Sequence, residues 1–388
     1  MRALLPGGCR THDQRPGRTV TYRMAMPRTV PAAPAEPAAD APGPVVSADH
    51  VRFAVPDEHR RFSGLRLEID RILTGSREFT WADGVWSLQI PRPDCWRLEY
   101  QLTTGTGTHS TWMCDPANPL RVPNPFGDKS ELRFPRYRLP NWLLTPPDGP
   151  LLTIHTPKRE LSQAVPVRLW SPPGLPAETG APLLVAHDGS DMADRGSLLR
   201  WAAALSRVLP IRVGLLDPPV GLRDEWYAAN PDYADHVAEV VIPALTGRVR
   251  TGAVIGLGAS LGAVAMLTIE RRHPGALGAL ALQSGSFFTH ALDGQESSFP
   301  YFERICTAVA AIAAGPDRAP TGGPRPVPVL ITCGGIEENL ANNRAMAAAL
   351  HRQGHPVTLR EVPDAHTMIG WRDAWFPALD GLIGSLQR

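Results

Sequence analysis

The chain has 388 residues, enough for one large domain or two ordinary ones, and its 43% hydrophobic content supplies ample core. Its 39 basic and 38 acidic side chains leave a formal charge of +1, so no global field draws it to nucleic acid or an anionic membrane, and a small-molecule partner is expected. Cys9, Cys95, Cys114, Cys306 and Cys333 show neither CxxC nor Cys/His metal spacing, so no metal, cofactor or disulfide framework is expected, and the odd count fits a reducing compartment.

Residues 1–45 set Arg2, Arg10, Arg15, Arg18, Arg23 and Arg28 beside a Pro/Ala tract with almost no periodic hydrophobics. Such a segment cannot bury enough surface to offset its ordering entropy, so a disordered tail is expected, with Met24 or Met26 as candidate true initiators. The start is too short an apolar run for a secretory signal, and no stretch reaches the roughly 18 apolar residues of a membrane span. A cytoplasmic location is the expectation.

Residues 46–145 change texture. Val51 to Val55, Leu65 to Ile69, Val85 to Ile90 and Trp96 to Leu102 alternate apolar and polar residues, the period of half-buried antiparallel strands. Turn material at Asp83-Gly84, Pro91 to Asp94 and Gly105 to Thr108 separates them, a spacing that suits an immunoglobulin-like sandwich. Its Trp81, Trp86, Trp96 and Trp112 are read mainly as core. A stiff linker with Pro135, Pro140, Pro146, Pro147 and Pro150 follows.

Residues 146–388 alternate strand and helix. Strands are expected at Val165 to Trp170, Leu183 to His187, Val213 to Leu216, Ala253 to Leu257, Leu280 to Gln283, Val327 to Thr332 and Val357 to Val362. Between them lie helical stretches, one capped by Asn230 with Pro231 at its first position, and a last one carrying Trp371, Trp375, Leu379 and Leu382. Repeated β-α alternation calls for parallel strands with helices on both faces, so the predicted fold class is an α/β-hydrolase domain preceded by an all-β sandwich.

The chemistry centres on Gly258-Ala-Ser260-Leu-Gly262, placed between a buried strand and a helix of small residues. This G-x-S-x-G puts a serine on a sharp elbow with its hydroxyl exposed at the sheet edge. A serine needs a base to take its proton and an acid to orient that base. Glu337 and Glu338 follow the Val327 to Thr332 strand, and Glu337 is the preferred acid; Glu338 is read as the start of the next helix, and Asp364 is a third candidate set awkwardly close to the histidine. His366 stands after the final strand, where the base belongs. Oxyanion donors are expected from the backbone N–H of Leu261 and of Ser190, with Gly189 as fallback.

Over residues 48 to 386 the chain resembles the enterochelin esterase branch of the esterase D α/β-hydrolases. The likeness rests on the Ser260 elbow, Asp188-Gly189, Arg223 to Trp226 with Asn230, Gly334-x-x-Glu337 with Asn343-Arg344, and His366 followed by Trp371-Arg372. The Asp115-Pro-Ala-Asn-Pro and Gly127-Asp-Lys-Ser motifs resemble that family's lid-like first domain. The resemblance implies a cytoplasmic serine esterase that opens the ester backbone of a catecholate siderophore and helps release its iron, with Arg223, Trp371 and Arg372 as candidate contacts to an anionic aromatic ligand. Two features depart from the family pattern, Asp364-Ala365 before the histidine and Asp191-Met192 in the early loop, and both touch the substrate side. The competing readings are an acyltransferase or glycan-ester deacylase of the same superfamily, and a binding protein built on a hydrolase fold without activity.

Overall fold

The computed structural model describes residues 43–69, 75–104, 111–125, 127–315 and 326–387. The expectation of a disordered tail, up to residue 42, and that of a start at Met24 or Met26 lie outside these residues; Val45, the last residue of that tail, opens the first strand.

Two small antiparallel sheets come first. β1 (Val45–Val46), β2 (His50–Pro56), β4 (Thr80–Ala82) and β5 (Val85–Pro91) pair in the order β1-β2-β5-β4. β3 (Leu65–Glu68), β6 (Arg97–Thr104), β7 (Thr111–Met113), β8 (Arg121–Val122) and β9 (Lys129–Arg133) form the second, in the order β3-β6-β9-β8 with β7 on β6. The period-two pattern decides their orientation: Val51, Phe53 and Val55 of β2 and Trp86, Leu88 and Ile90 of β5 are buried, and they meet Leu65, Leu67, Leu98, Tyr100 and Leu102 in one hydrophobic cluster. Strand β6 breaks the alternation. Arg97, Leu98, Glu99 and Tyr100 are all buried, so both of its faces are covered. Among the expected core tryptophans, Trp86 is buried while Trp112 is exposed.

An eight-stranded sheet follows, in the order β10 (Leu151–Ile154), β11 (Val167–Trp170), β13 (Arg212–Leu216), β12 (Ala181–His187), β14 (Thr251–Ala259), β15 (Ala279–Gln283), β16 (Val329–Gly334), β17 (Val357–Val362). The strands from β13 onward pair in parallel, whereas β10, which the sequence reading missed, and β11 are antiparallel. Residues 155–166, between β10 and β11, carry no helix to cross over the sheet, and the two strands pair antiparallel.

Helices cover both faces. In β12, Leu183 and Val185 join one core with Trp226, Tyr233, Val264, Ile305 and Met346; Leu184 and Ala186 join another with Met192, Leu198, Trp201, Trp375 and Leu379. The helices are α1 (Gly189–Asp194), α2 (Leu198–Leu205), α3 (Arg223–Tyr227), α4 (Pro231–His236), α5 (Ile242–Thr246), α6 (Leu261–Arg272), α7 (Phe302–Ala314), α8 (Leu340–Arg352), α9 (Met368–Asp373) and α10 (Trp375–Ser385).

Asn230 caps α4 as expected, its Oδ1 accepting from the N–H groups of Asp232 and Tyr233. A π-helical turn, Val237–Val241, then joins α4 to α5. Pro243 just beyond it lacks the N–H that would continue the regular ladder. The single C-terminal helix of the sequence reading is two helices plus a non-helical Phe376, whose helical conformation Pro377 disfavours. Among the described residues Cys95, Cys114, Cys306 and Cys333 are free thiols, and no helix is long and apolar enough to cross a membrane.

Candidate active site

Four adjacent parallel strands deliver the site residues at their carboxyl ends: Ser260 after β14, Ser284 and Ser286 after β15, Glu337 after β16 and His366 after β17. Ser260 has φ 55° and ψ −122°, a conformation that costs a non-glycine residue on the order of 1–3 kcal/mol and survives only where its surroundings impose it. The constraint is visible at Gly258, where an added Cβ would lie 2.2 Å from the Gly262 carbonyl oxygen. The twelve-residue helix α6 begins immediately after the serine, so its unpaired N-terminal N–H groups and the positive end of its dipole lie beside the hydroxyl. Ser260 Oγ hydrogen-bonds Ser286 Oγ at 3.1 Å, and Ser286 N–H donates to the Ser260 carbonyl.

His366 Nδ1 lies 2.7 Å from Glu337 Oε2. The other carboxylate oxygen, Oε1, accepts from the Cys333 thiol and from the Gly334 N–H at 2.7 Å. Burial works to raise the Glu337 pKa, but the bond and charge of His366, with the Cys333 and Ser284 hydrogen bonds, outweigh it and hold the carboxyl below its ordinary range. Burial and the neighbouring carboxylate push the Cys333 thiol up, so it serves as a donor. The loops bearing Glu337 and His366 are bonded to each other, Gly335 N–H to Val362 O and Ile336 N–H to Asp364 O. Such an approach requires glycine at 334, where a Cβ would meet the Asp364 carbonyl at 2.4 Å. The Trp371 ring packs edge-on against His366, centroids 5.0 Å apart, and its Nε1–H donates to Ser284 Oγ.

The other expected residues divide. Glu338 is half-buried and precedes α8, whose N-cap is Asn339, and it is Glu337 that holds the imidazole. Leu261 opens α6 with its N–H beside Ser260. Ser190, expected as an oxyanion donor, gives its N–H to Asp217 Oδ1 at 2.6 Å and its hydroxyl to Oδ2 at 2.8 Å. Arg223, expected to meet an anionic ligand, is a two-pronged partner of Asp188, at 2.8 and 2.7 Å, and stacks over Tyr227. Burial opposes its charge and Asp188 more than restores it, which raises its pKa.

Arg372 is buried, donating to Asp373 at 2.7 Å and to the Tyr137 hydroxyl at 3.0 Å. It fastens the linker to α9. Arg372→Met is therefore expected to lower unfolding stability by about 3 kcal/mol, because it leaves the nearly buried Asp373 carboxylate with the Tyr137 hydroxyl but without its cation. Denaturant unfolding reads this loss, and KM for small esters is expected to stay unchanged.

Asp364, the third candidate acid, faces Arg97 instead, at 3.3 Å. Burial raises its pKa to about 7 against an ordinary 3.8, with Arg97 pulling the other way. Between those values the unfolded chain has released a proton that the native state still holds, so stability falls as pH rises. The contribution is full below about pH 4 and lost through pH 7. Comparing urea unfolding of Asp364→Asn and the parent at pH 4.5 and 8 isolates it: the variant is expected to lose less stability over that span.

Several supporting residues were given no structural role by the sequence reading. Asn343 grips the loop after β15 through both its amide atoms, accepting from Gly285 N–H at 3.0 Å and donating to Gly285 O at 2.8 Å. Asn339 Nδ2 lies 3.3 Å from Ser284 O and 3.4 Å from His366 Nδ1. The available signal was Gln283-Ser-Gly-Ser286 at the carboxyl end of the strand beside the elbow. Among the described residues no group of three His, Cys, Asp or Glu side chains could hold a metal ion.

Solved structures share this architecture. The enterobactin esterase of Shigella flexneri, determined in the presence of enterobactin, matches with a TM-score of 0.70 and 20% identity over 89% of this chain and 96% of that one. The ferric enterobactin esterase of Salmonella typhimurium matches with a TM-score of 0.67 and 17% identity over 90% and 98% of the two chains. The chain has the enterobactin esterase fold. The matches cover about nine tenths of the chain. No protein-family model matches the sequence, and no curated protein does.

Proposed function

We propose that the chain is a serine carboxylic-ester hydrolase that opens the ester bonds of a catecholate siderophore such as enterobactin and so helps release its iron. The observation that carries this reading is the 2.7 Å bond from Glu337 to His366 Nδ1, on the same sheet edge as a serine strained onto an elbow. The bond fixes the tautomer that leaves Nε2 free as a base. In the reaction the Ser260 hydroxyl exchanges Ser286 for His366 Nε2, gives up its proton and attacks the ester carbonyl. The Leu261 N–H stabilises the oxyanion, and because Ser190 is committed to Asp217, the second donor falls to Gly189, which precedes it at the start of α1. Collapse expels the alcohol, which takes the proton from His366. Water, deprotonated by His366, then attacks the acyl-enzyme and releases the acid and Ser260.

On the substrate side the proposal rests on the shared fold and on Trp371, whose ring borders His366. Arg223 is already neutralised by Asp188 and Arg372 is internal, so neither brings a free charge to a catecholate. Residues 46–145 are proposed as a lid-like sandwich domain and 146–388 as the hydrolase domain, in a cytoplasmic protein. Mass-spectrometric product release from ferric and iron-free trilactone catecholates, an acetylated xylan oligomer and p-nitrophenyl butyrate tests the substrate. Selective trilactone cleavage is expected; cleavage of the butyrate alone would keep the chemistry and discard the siderophore.

A further inference from the structure

Strand β6 presents a buried cation that the reaction does not use. Arg97 is fully buried and lies on the small sheets, yet it reaches the loop of the final strand. Its Nε donates to Glu131 at 2.8 Å and one Nη to Glu99 at 2.6 Å. The other Nη donates to Asp364 Oδ2 at 3.3 Å and to Thr367 Oγ1 at 3.2 Å. Asp364 and Thr367 bracket His366. Thr367 is also the N-cap of α9, its Oγ1 accepting from Gly370 N–H at 3.0 Å, and α9 carries Trp371. Two further contacts fix the same seam: Trp96 N–H donates to Pro363 O at 2.7 Å, and Ile336 and Ala365, neighbours of Glu337 and His366, are buried in the core of the small sheets.

A planar guanidinium with fixed donor directions suits this task, since it sets the angle as well as the distance of each partner. The geometry points to Arg97 as a positioning residue for His366: from the all-β part of the chain it clamps both flanks of the histidine, and so holds the imidazole on Glu337 and toward Ser260. The small sheets thus act on the reaction through the base and not only by covering the site. This inference rests on the esterase reading proposed above.

The test uses full-length variants whose folding is checked by circular dichroism. Asp364→Ala removes the acceptor from one flank and leaves Arg97 its two glutamates; Asp364→Asn keeps an acceptor in place. Arg97→Lys keeps the charge but loses the fork, and Arg97→Met removes both. If Arg97→Met does not fold, Asp364→Ala probes the clamp from its other side. A small displacement of a base costs up to about 100-fold in rate. The expected result on p-nitrophenyl butyrate is a kcat about 10- to 100-fold lower for Asp364→Ala and Arg97→Lys, with KM changed less than about 2-fold and activity largely restored by Asp364→Asn. The downfield NMR resonance of the His366 Nδ1 proton reports the bond to Glu337 without any turnover, and is expected to broaden or shift in Asp364→Ala. A folded Asp364→Ala with parental kcat and an unchanged resonance overturns the clamp. Wild-type protein that shows the resonance but takes no fluorophosphonate on Ser260 overturns the esterase reading and leaves the clamp standing.

Discussion

Ser260→Ala is expected to lower kcat on p-nitrophenyl butyrate by at least about 1,000-fold, and His366→Ala to do the same, with the double variant hardly worse than either. The non-additivity follows from the mechanism. A serine hydroxyl without its base is scarcely nucleophilic, and the base without the hydroxyl has nothing to deprotonate, so either loss removes the whole step. On the proposed mechanism, what survives is the stabilisation expected from the Leu261 N–H and the α6 terminus, which neither substitution touches. Ser260→Ala also relieves no backbone strain, because alanine meets the same steric limits at φ 55°. Thermal unfolding is therefore expected to change little while turnover disappears. Parental activity in a folded Ser260→Ala would move the chemistry to another residue.

The second large effect separates two neighbouring carboxylates. Glu337→Gln is expected to lower kcat about 100- to 10,000-fold, whereas Glu338→Gln leaves it within about 2-fold. The glutamine introduced by Glu337→Gln keeps the shape of the side chain, but its amide cannot carry the negative charge that, on the proposed mechanism, stabilises the imidazolium, and its NH2 can turn toward Nδ1 and impose the wrong tautomer. The Glu337 carboxylate is also bound on its far side by Cys333 and the Gly334 N–H, so its orientation is set independently of the histidine. Steady-state kinetics on the two folded variants, with KM measured alongside, reads the contrast. Equal losses in both would mean that the loop and not the charge matters.

Much of the fold was legible because periodicity is a local property. Alternation at Val51 to Val55 and Val85 to Ile90 foretold strands β2 and β5, and the β-α rhythm after residue 165 foretold the parallel part of the large sheet. The pairing of Glu337 with His366 was legible for a related reason: residues just past successive parallel strands must gather at one sheet edge, whatever their distance in the chain. Break points were less so. The π turn before Pro243 and the interruption at Phe376 depend on how a proline's missing donor and its ring are accommodated by neighbours.

Side-chain partnership was decided by tertiary structure alone. Sequence marks Arg223 and Arg372 as cations near the site, but a cation is available to a ligand only if no nearer carboxylate claims it, and Asp188 and Asp373 do. Ser190 follows the same logic, its N–H taken by Asp217 from the next strand of the sheet. Arg97 is the clearest case. In the sequence it is one polar position in the strand Trp96 to Leu102, and alternation would place it in solvent. It is buried because the loops after β16 and β17 cover that face of β6, bringing Asp364 to a guanidinium 267 residues away in the chain. Sequence determined which groups stand at the sheet edge, since strand ends are set by short-range pattern; the fold decided which charges remain free, since neutralisation depends on contacts that no local pattern records.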